Sequence, residues 1–116
     1  METAMQLNPL HTYMYLNVLG QSQFLRSRYE DAVFSFSHAV SRNPEDNQVR
    51  LWLAASYALM GNIEDAEWQV LEILADNPGY SIKDLRERIP FKNPEHLEKL
   101  SEGLKRAGLP ESRADN

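Results

Sequence analysis

Three of the four Asn-Pro dipeptides, at residues 8–9, 43–44 and 77–78, are spaced by 35 and then 34 residues. Glu30-Asp31-Ala32 returns as Glu64-Asp65-Ala66, again 34 residues later. A period of 34 that closes on proline is the pattern of a helix-turn-helix array. One such hairpin cannot bury its own apolar faces, so copies must stack into a solenoid. Arrays of this kind generally work as binding surfaces, and the first expectation is an all-α chain whose task is binding.

The two complete units align position by position. The first reads Leu16-x2-Leu19-Gly20-x2-Gln23, then Ala32-x3-Phe36-x2-Ala39, then Pro44. The second reads Arg50-x2-Leu53-Ala54-x2-Tyr57, then Ala66-x3-Val70-x2-Ile73, then Pro78. This pattern resembles the tetratricopeptide repeat, with Gln23 in place of its aromatic and Arg50 in place of its tryptophan. The small residues hold: Gly20/Ala54 and Ala32/Ala66 fall where antiparallel helices approach closely. Local chemistry predicts helices over 11–25, 29–42, 45–60 and 63–76, with turns at Arg26-Ser27-Arg28 and Met60-Gly61-Asn62. Glu30-Asp31 and Glu64-Asp65 then occupy first turns, where the helix dipole favours carboxylates. Asn43-Pro44 is expected to open the third helix as cap and first residue, followed by Glu45 and Asp46.

The ends break the period. Residues 1–10 read as the remnant of a preceding repeat, since Ala4-x2-Leu7-Asn8-Pro9 parallels Ala39 to Pro44. The following helix is apolar around most of its circumference (Tyr13, Met14, Tyr15, Leu16, Val18, Leu19, Phe24, Leu25) and expects cover on more than one side. The chain is therefore read as a fragment, or a divergent short homologue, of a longer array. Units are expected at 11–44 and 45–78, with a truncated third unit and capping helix over 79–110 and a polar, frayed tail over 111–116. Ser81-x2-Asp84 resembles a capping box. Ile82, Leu85 and Ile89 follow it as a stripe that Pro90 stops. Asn93-Pro94-Glu95 opens a last helix whose stripe is Leu97, Leu100, Leu104 and Ala107. Its outer face carries Glu95, Glu98, Lys99, Glu102, Lys105 and Arg106, and Gly108-Leu109-Pro110 ends it.

The tail carries a more specific likeness. The segments 77–81, 85–91, 93–97 and 102–111, together with Met5 to Leu10, are similar to the C-terminal region of bacterial class III adenylate/guanylate cyclase proteins with tetratricopeptide repeats. Related tails follow winged-helix transcriptional regulators. The resemblance implies a right-handed tetratricopeptide solenoid with a C-terminal capping helix. The implied role is the regulatory or scaffolding C-terminal region of a cyclase-like signalling protein, or of a transcriptional regulator. No cyclase or DNA-binding domain lies within these 116 residues.

Chemistry within the chain is not expected. His11, His38 and His96 lack metal-ligand spacing, and cysteine is absent, which removes thiolate sites and disulfides. The paired carboxylates at 30–31, 45–46 and 64–65 read as dipole complements rather than acid/base pairs. No glycine-rich phosphate loop occurs. Catalytic, cofactor and metal residues are thus expected to be none. Lys83, Arg86, Arg88 and Lys92 beside Phe91 form a basic run, but the interleaved Asp84 and Glu87 make it a solvated face. A net charge of -5 argues against nucleic acid. No apolar run nears the roughly 20 residues of a membrane span, and Met1 to Pro9 lacks the n- and h-regions of a secretory leader. A cytoplasmic protein is expected.

What remains is a surface. The resemblance places Asn17, Gln21, Gln48, Leu51 and Ala55 on the concave side. Asn17 and Gln21 are not joined there by a lysine or arginine from the second repeat, so a carboxylate clamp is not expected. Amides and small apolar residues suit a peptide or helix held by hydrogen bonds and modest burial. The partner is a protein or peptide, or another domain of the same parent. The alternative is a homo-oligomerisation module pairing through the uncovered first helix. Trp52 and Trp68 are expected in the core or between repeats.

Overall fold

The computed structural model describes residues 9–88 and 94–111, apart from the side chains of residues 9–11 and 88. Six helices are described: α1 (Pro9–Leu25), α2 (Tyr29–Arg42), α3 (Asn47–Met60), α4 (Ile63–Asp76), α5 (Ile82–Arg88) and α6 (Pro94–Arg106). No strand occurs among the described residues. α1–α2 and α3–α4 are antiparallel hairpins; α2 packs on both α1 and α3, and α6 folds back onto α3. The architecture is the all-α helical solenoid with a closing helix that the 34-residue period implies.

Both hairpin turns use one backbone device. The Asn62 N–H donates to the Tyr57 carbonyl (2.8 Å) and the Gly61 N–H to that of Ala58 (3.1 Å), with Gly61 at φ +100°. Thirty-four residues earlier, Arg28 donates to Gln23 (2.8 Å) and Ser27 to Phe24 (3.0 Å), with Ser27 at φ +66°. These are Schellman ends, which satisfy carbonyls that the helix leaves open. α6 ends alike, through Leu109 to Leu104 (3.0 Å) and Gly108 to Lys105 (3.1 Å).

Asn43-Pro44 and Asn77-Pro78 close repeats rather than open helices, which corrects the expected start of α3. The Asn43 N–H still donates to Ala39 (3.0 Å) at the end of α2, and the Asn43 carbonyl accepts from Asp46 N–H (3.1 Å). Proline disfavours α conformation in the residue before it, and Asn43 sits at φ -145°. The cap falls to Asp46, whose carboxylate accepts from Gln48 N–H (2.9 Å). Asn77 repeats the turn by accepting from Tyr80 N–H (3.0 Å), and Ser81 then caps α5. Asn8-Pro9 differs again, because Pro9 begins α1 itself. Of the remnant expected over 1–10, residues 9 and 10 belong to α1 and 1–8 lie outside the described residues, as do Ile89, Pro90 and the expected cap Asn93.

The core runs through both hairpins. Phe24 and Phe36 are fully buried, with Trp52 between them at centroid distances of 5.3 and 6.1 Å. Each such ring contributes about 1.5–3 kcal/mol by burial. Ala32, Ala39 and Ala66 have no exposed surface, as close helix packing requires. Gly20 faces Phe36 so closely that an added Cβ would stand 2.6 Å from the ring. Tyr13, buried on α1, donates its hydroxyl to the Asp46 carboxylate and ties the first hairpin to the cap of α3.

The C-terminal part closes on itself. Asp84 accepts from Ser81 N–H (3.0 Å) and hydroxyl (3.1 Å), which bears out the capping box. The Ile82 and Lys83 N–H groups donate to the carbonyls of Pro110 (2.8 Å) and Glu111 (3.0 Å), joining the start of α5 to the segment after α6. Leu100, Leu104 and Ala107 are buried as expected, with Leu97 packed beside them.

Candidate functional site

α1 carries no Asp, Glu, Lys or Arg. On it Asn17 and Gln21, one turn apart, pair through Gln21 Nε2 donating to Asn17 Oδ1 (3.1 Å). Both are half-buried and keep further amide valences. Gln48 is exposed in the first turn of α3. These three expected surface residues are accessible.

Leu51 and Ala55 are not, and here the sequence reading is corrected. Leu51 is 3% exposed and Ala55 0%. At Ala55 the reason is α6, which crosses α3 with Gly103 against it: a Cβ on Gly103 would lie 2.7 Å from the Ala55 Cβ. The closing helix thus covers part of the surface expected to be open. Gly103, a small residue between Leu100 and Leu104 of an amphipathic helix, was the available signal for such a close approach.

Lys99 is a second correction. Expected on the solvated face of the last helix, it reaches the end of α1 instead. Its Nζ donates to Ser27 Oγ (2.7 Å) and to the Leu25 carbonyl (3.3 Å), and lies 5.3 Å from the Tyr29 ring centroid and 5.7 Å from that of Phe24. A cation at a helix C-terminus complements the dipole, and the rings add cation–π attraction. Arg86 of the basic run pairs with Glu98 (3.2 Å), and Lys83 is exposed. The Arg88 side chain, Phe91 and Lys92 lie outside the described residues.

Apolar side chains are exposed at both ends of the stack. Met14, Tyr15 and Val18 on α1 are 54, 52 and 67% exposed. On α4, Trp68 is 60% and Leu71 58% exposed, so Trp68 is not the packed residue the sequence suggested, whereas Trp52 is. Phe34, the counterpart of Trp68 in the first hairpin, is also exposed and packs on His38 at 4.4 Å. His96 is half-buried. Among the described residues, no group of three or more His, Cys, Asp or Glu could hold a metal, and no helix is long and apolar enough to cross a membrane.

Stacked helical hairpins, alanine-lined contacts and a closing helix define an α-helical repeat protein that presents surfaces. The chain belongs to the tetratricopeptide repeat family, whose profile matches residues 24–89, more than half its length. Repeats of this family suggest a protein–protein interaction module and are typically non-catalytic. No curated protein and no solved structure matches the chain. The match lies over the repeats and brings no cyclase or regulator with it.

Proposed function

We propose that the chain is a non-catalytic interaction module that receives a protein or peptide segment along the face of α1 carrying Asn17 and Gln21, continued by Gln48. The observation that carries this reading is the amide pair on a helix without a charged residue. Amides can answer both donors and acceptors of a peptide backbone, while an uncharged helix gives no preference for phosphate or carboxylate. The partner is another protein or a further domain of one parent chain. The tail's likeness favours a cytoplasmic signalling parent with a cyclase or winged-helix domain, which the sequence of the complete gene tests. The units at 11–44 and 45–78, with 79–110 as terminator, belong to the same reading.

A photoreactive residue at position 21, set against one at exposed Ser41 on α2, tests the surface in cells. Discrete adducts from position 21 that vanish with Asn17→Ala support it. Equal adduct patterns from both positions would reject it. A second reading, self-association, is favoured by the exposure of Met14, Tyr15 and Val18 on α1.

A further inference from the structure

The second hairpin shows what the first one lacks. Val49, Trp52 and Ser56 of α3 are buried at 1, 5 and 0%. Their counterparts 34 residues earlier on α1, Tyr15, Val18 and Ser22, are exposed. The face that α3 packs on α2 is therefore bare on α1. The reverse holds at the other end. On α2, Tyr29, Val33, Ser37 and Val40 are half-buried, and α2 has α3 alongside. Of their counterparts on α4, Ile63, Glu67 and Leu71 are exposed while Leu74 is half-buried, and no described helix packs along α4 as α3 packs along α2.

We infer that α1 of one copy docks on α4 of a second copy in the way that α3 docks on α2 within the chain. This rests on the self-association reading above and adds which two faces meet. Both faces are apolar and open: Tyr15 and Val18 on α1, Ile63 and Leu71 on α4. Charge supports it independently. Within the chain, Met60 at the end of α3 shares a surface cleft with Glu30 and Asp31 at the start of α2. The counterpart of Met60 is Arg26, and those of Glu30 and Asp31 are Glu64 and Asp65. The docked copy thus brings an exposed arginine to the acidic first turn of α4. Trp68 stays outside this contact, because its counterpart Phe34 remains exposed although α2 is packed against α3. A head-to-tail contact leaves a free α1 and a free α4 at its two ends, so association continues beyond the dimer.

Sedimentation equilibrium of the whole chain across a concentration series tests this. The expected result is a mass that rises past the dimer, with Val18→Glu and Leu71→Glu each moving association to at least about tenfold higher concentration, and Trp68→Ser leaving it unchanged. Mixing the Val18→Glu and Leu71→Glu chains restores a 1:1 dimer that grows no further, because each supplies the face the other lost. Arg26→Glu, a surface change with no bearing on the core, weakens association, and Glu64→Arg/Asp65→Arg on the other copy recovers it. Association that survives Leu71→Glu but not Val18→Glu means a symmetric α1–α1 dimer; it overturns the face assignment while self-association stands. Loss of association in Trp68→Ser, or failure of the mixed variants to pair, overturns the assignment as well. A strict monomer at every concentration overturns both readings.

Discussion

The two hairpins share one backbone and solve its packing with different residues. At the close approach of α1 and α2, Gly20 leaves room for Phe36; in the second hairpin the same positions hold Ala54 and the smaller Val70. Where the family has an aromatic, the first hairpin has Gln23, which accepts from the buried Ser35 hydroxyl (2.7 Å), and the second has Tyr57. The counterpart of Ser35 is Gln69, which accepts from Arg50 (3.0 Å) on the neighbouring helix; Arg50 also donates to the Pro44 carbonyl (3.0 Å). The difference teaches that the repeat constrains sums across facing positions. Combined volume and paired polar groups are kept, while the individual residue varies.

The sharpest way to break the equivalence is at Ala32 and Ala66, where the hairpins agree most closely and no surface is exposed. Ala66→Arg is expected to destabilise by about 2–4 kcal/mol through overpacking and a buried charge. Ala32→Arg is expected to cost at least as much, since α2 has helices on both sides. Urea midpoints measure both, and an unshifted midpoint for either ends the equivalence.

The volume rule is tested next at Gly20. Gly20→Ala is expected to cost about 1–3 kcal/mol, because its Cβ meets the Phe36 ring. Gly20→Ala/Phe36→Val installs the second hairpin's pair in the first. Its loss should fall below the sum of the single losses by about 1 kcal/mol, read from a double-mutant cycle. Additive losses would mean that the two positions are not coupled through volume. A smaller effect is expected where the closing helix touches one hairpin alone. Lys99→Met keeps the aliphatic stem over Phe24 and Tyr29 but removes the charge at the end of α1. It should cost about 1 kcal/mol, and the difference from the parent chain should shrink with added salt. A difference that salt leaves untouched would assign Lys99 a packing role only.

How much of this was written in the sequence divides by range. Period, turns, capping box and helical stripes are local, and Glu64-Asp65, Gly61 and Ser81-x2-Asp84 sit where short-range chemistry puts them. The start of α3 was misplaced because proline fits both the first turn of a helix and the turn before it. Asp46, whose carboxylate accepts from Gln48 N–H, decided between them. The course of α6 was not legible, since an amphipathic stripe says that a helix is buried but not on which neighbour. The surface reading failed at Ala55 for that reason, while Asn17, Gln21 and Gln48 stayed accessible. Lys99 lies at the edge of the stripe, where periodicity cannot tell solvent from a helix end 74 residues away. Trp68 illustrates the opposite error: its bulk suggested the core, yet its position is that of Phe34, on the outer side of the second helix of each hairpin.

The smallest expected effect tests the comparison by its sign. Ser27 and Gly61 occupy the same left-handed position, which costs a residue with a Cβ about 1–2 kcal/mol and glycine almost nothing. Nothing lies within 4 Å of a Cβ built on Gly61, so Gly61→Ser exposes the backbone cost alone and should destabilise by about 1 kcal/mol. Ser27→Gly relieves the same strain but gives up the hydroxyl that accepts from Lys99 and frees the unfolded chain somewhat. The net gain should be about 0.5 kcal/mol. The Lys99 ammonium keeps the Leu25 carbonyl and the two rings, so the closing helix stays docked. Opposite shifts of the urea midpoint are therefore expected from the two exchanges. If both shift it downward, Ser27 is held by its bond to Lys99 more strongly than it is strained, and the first hairpin's turn is a contact for α6 before it is a copy of the second.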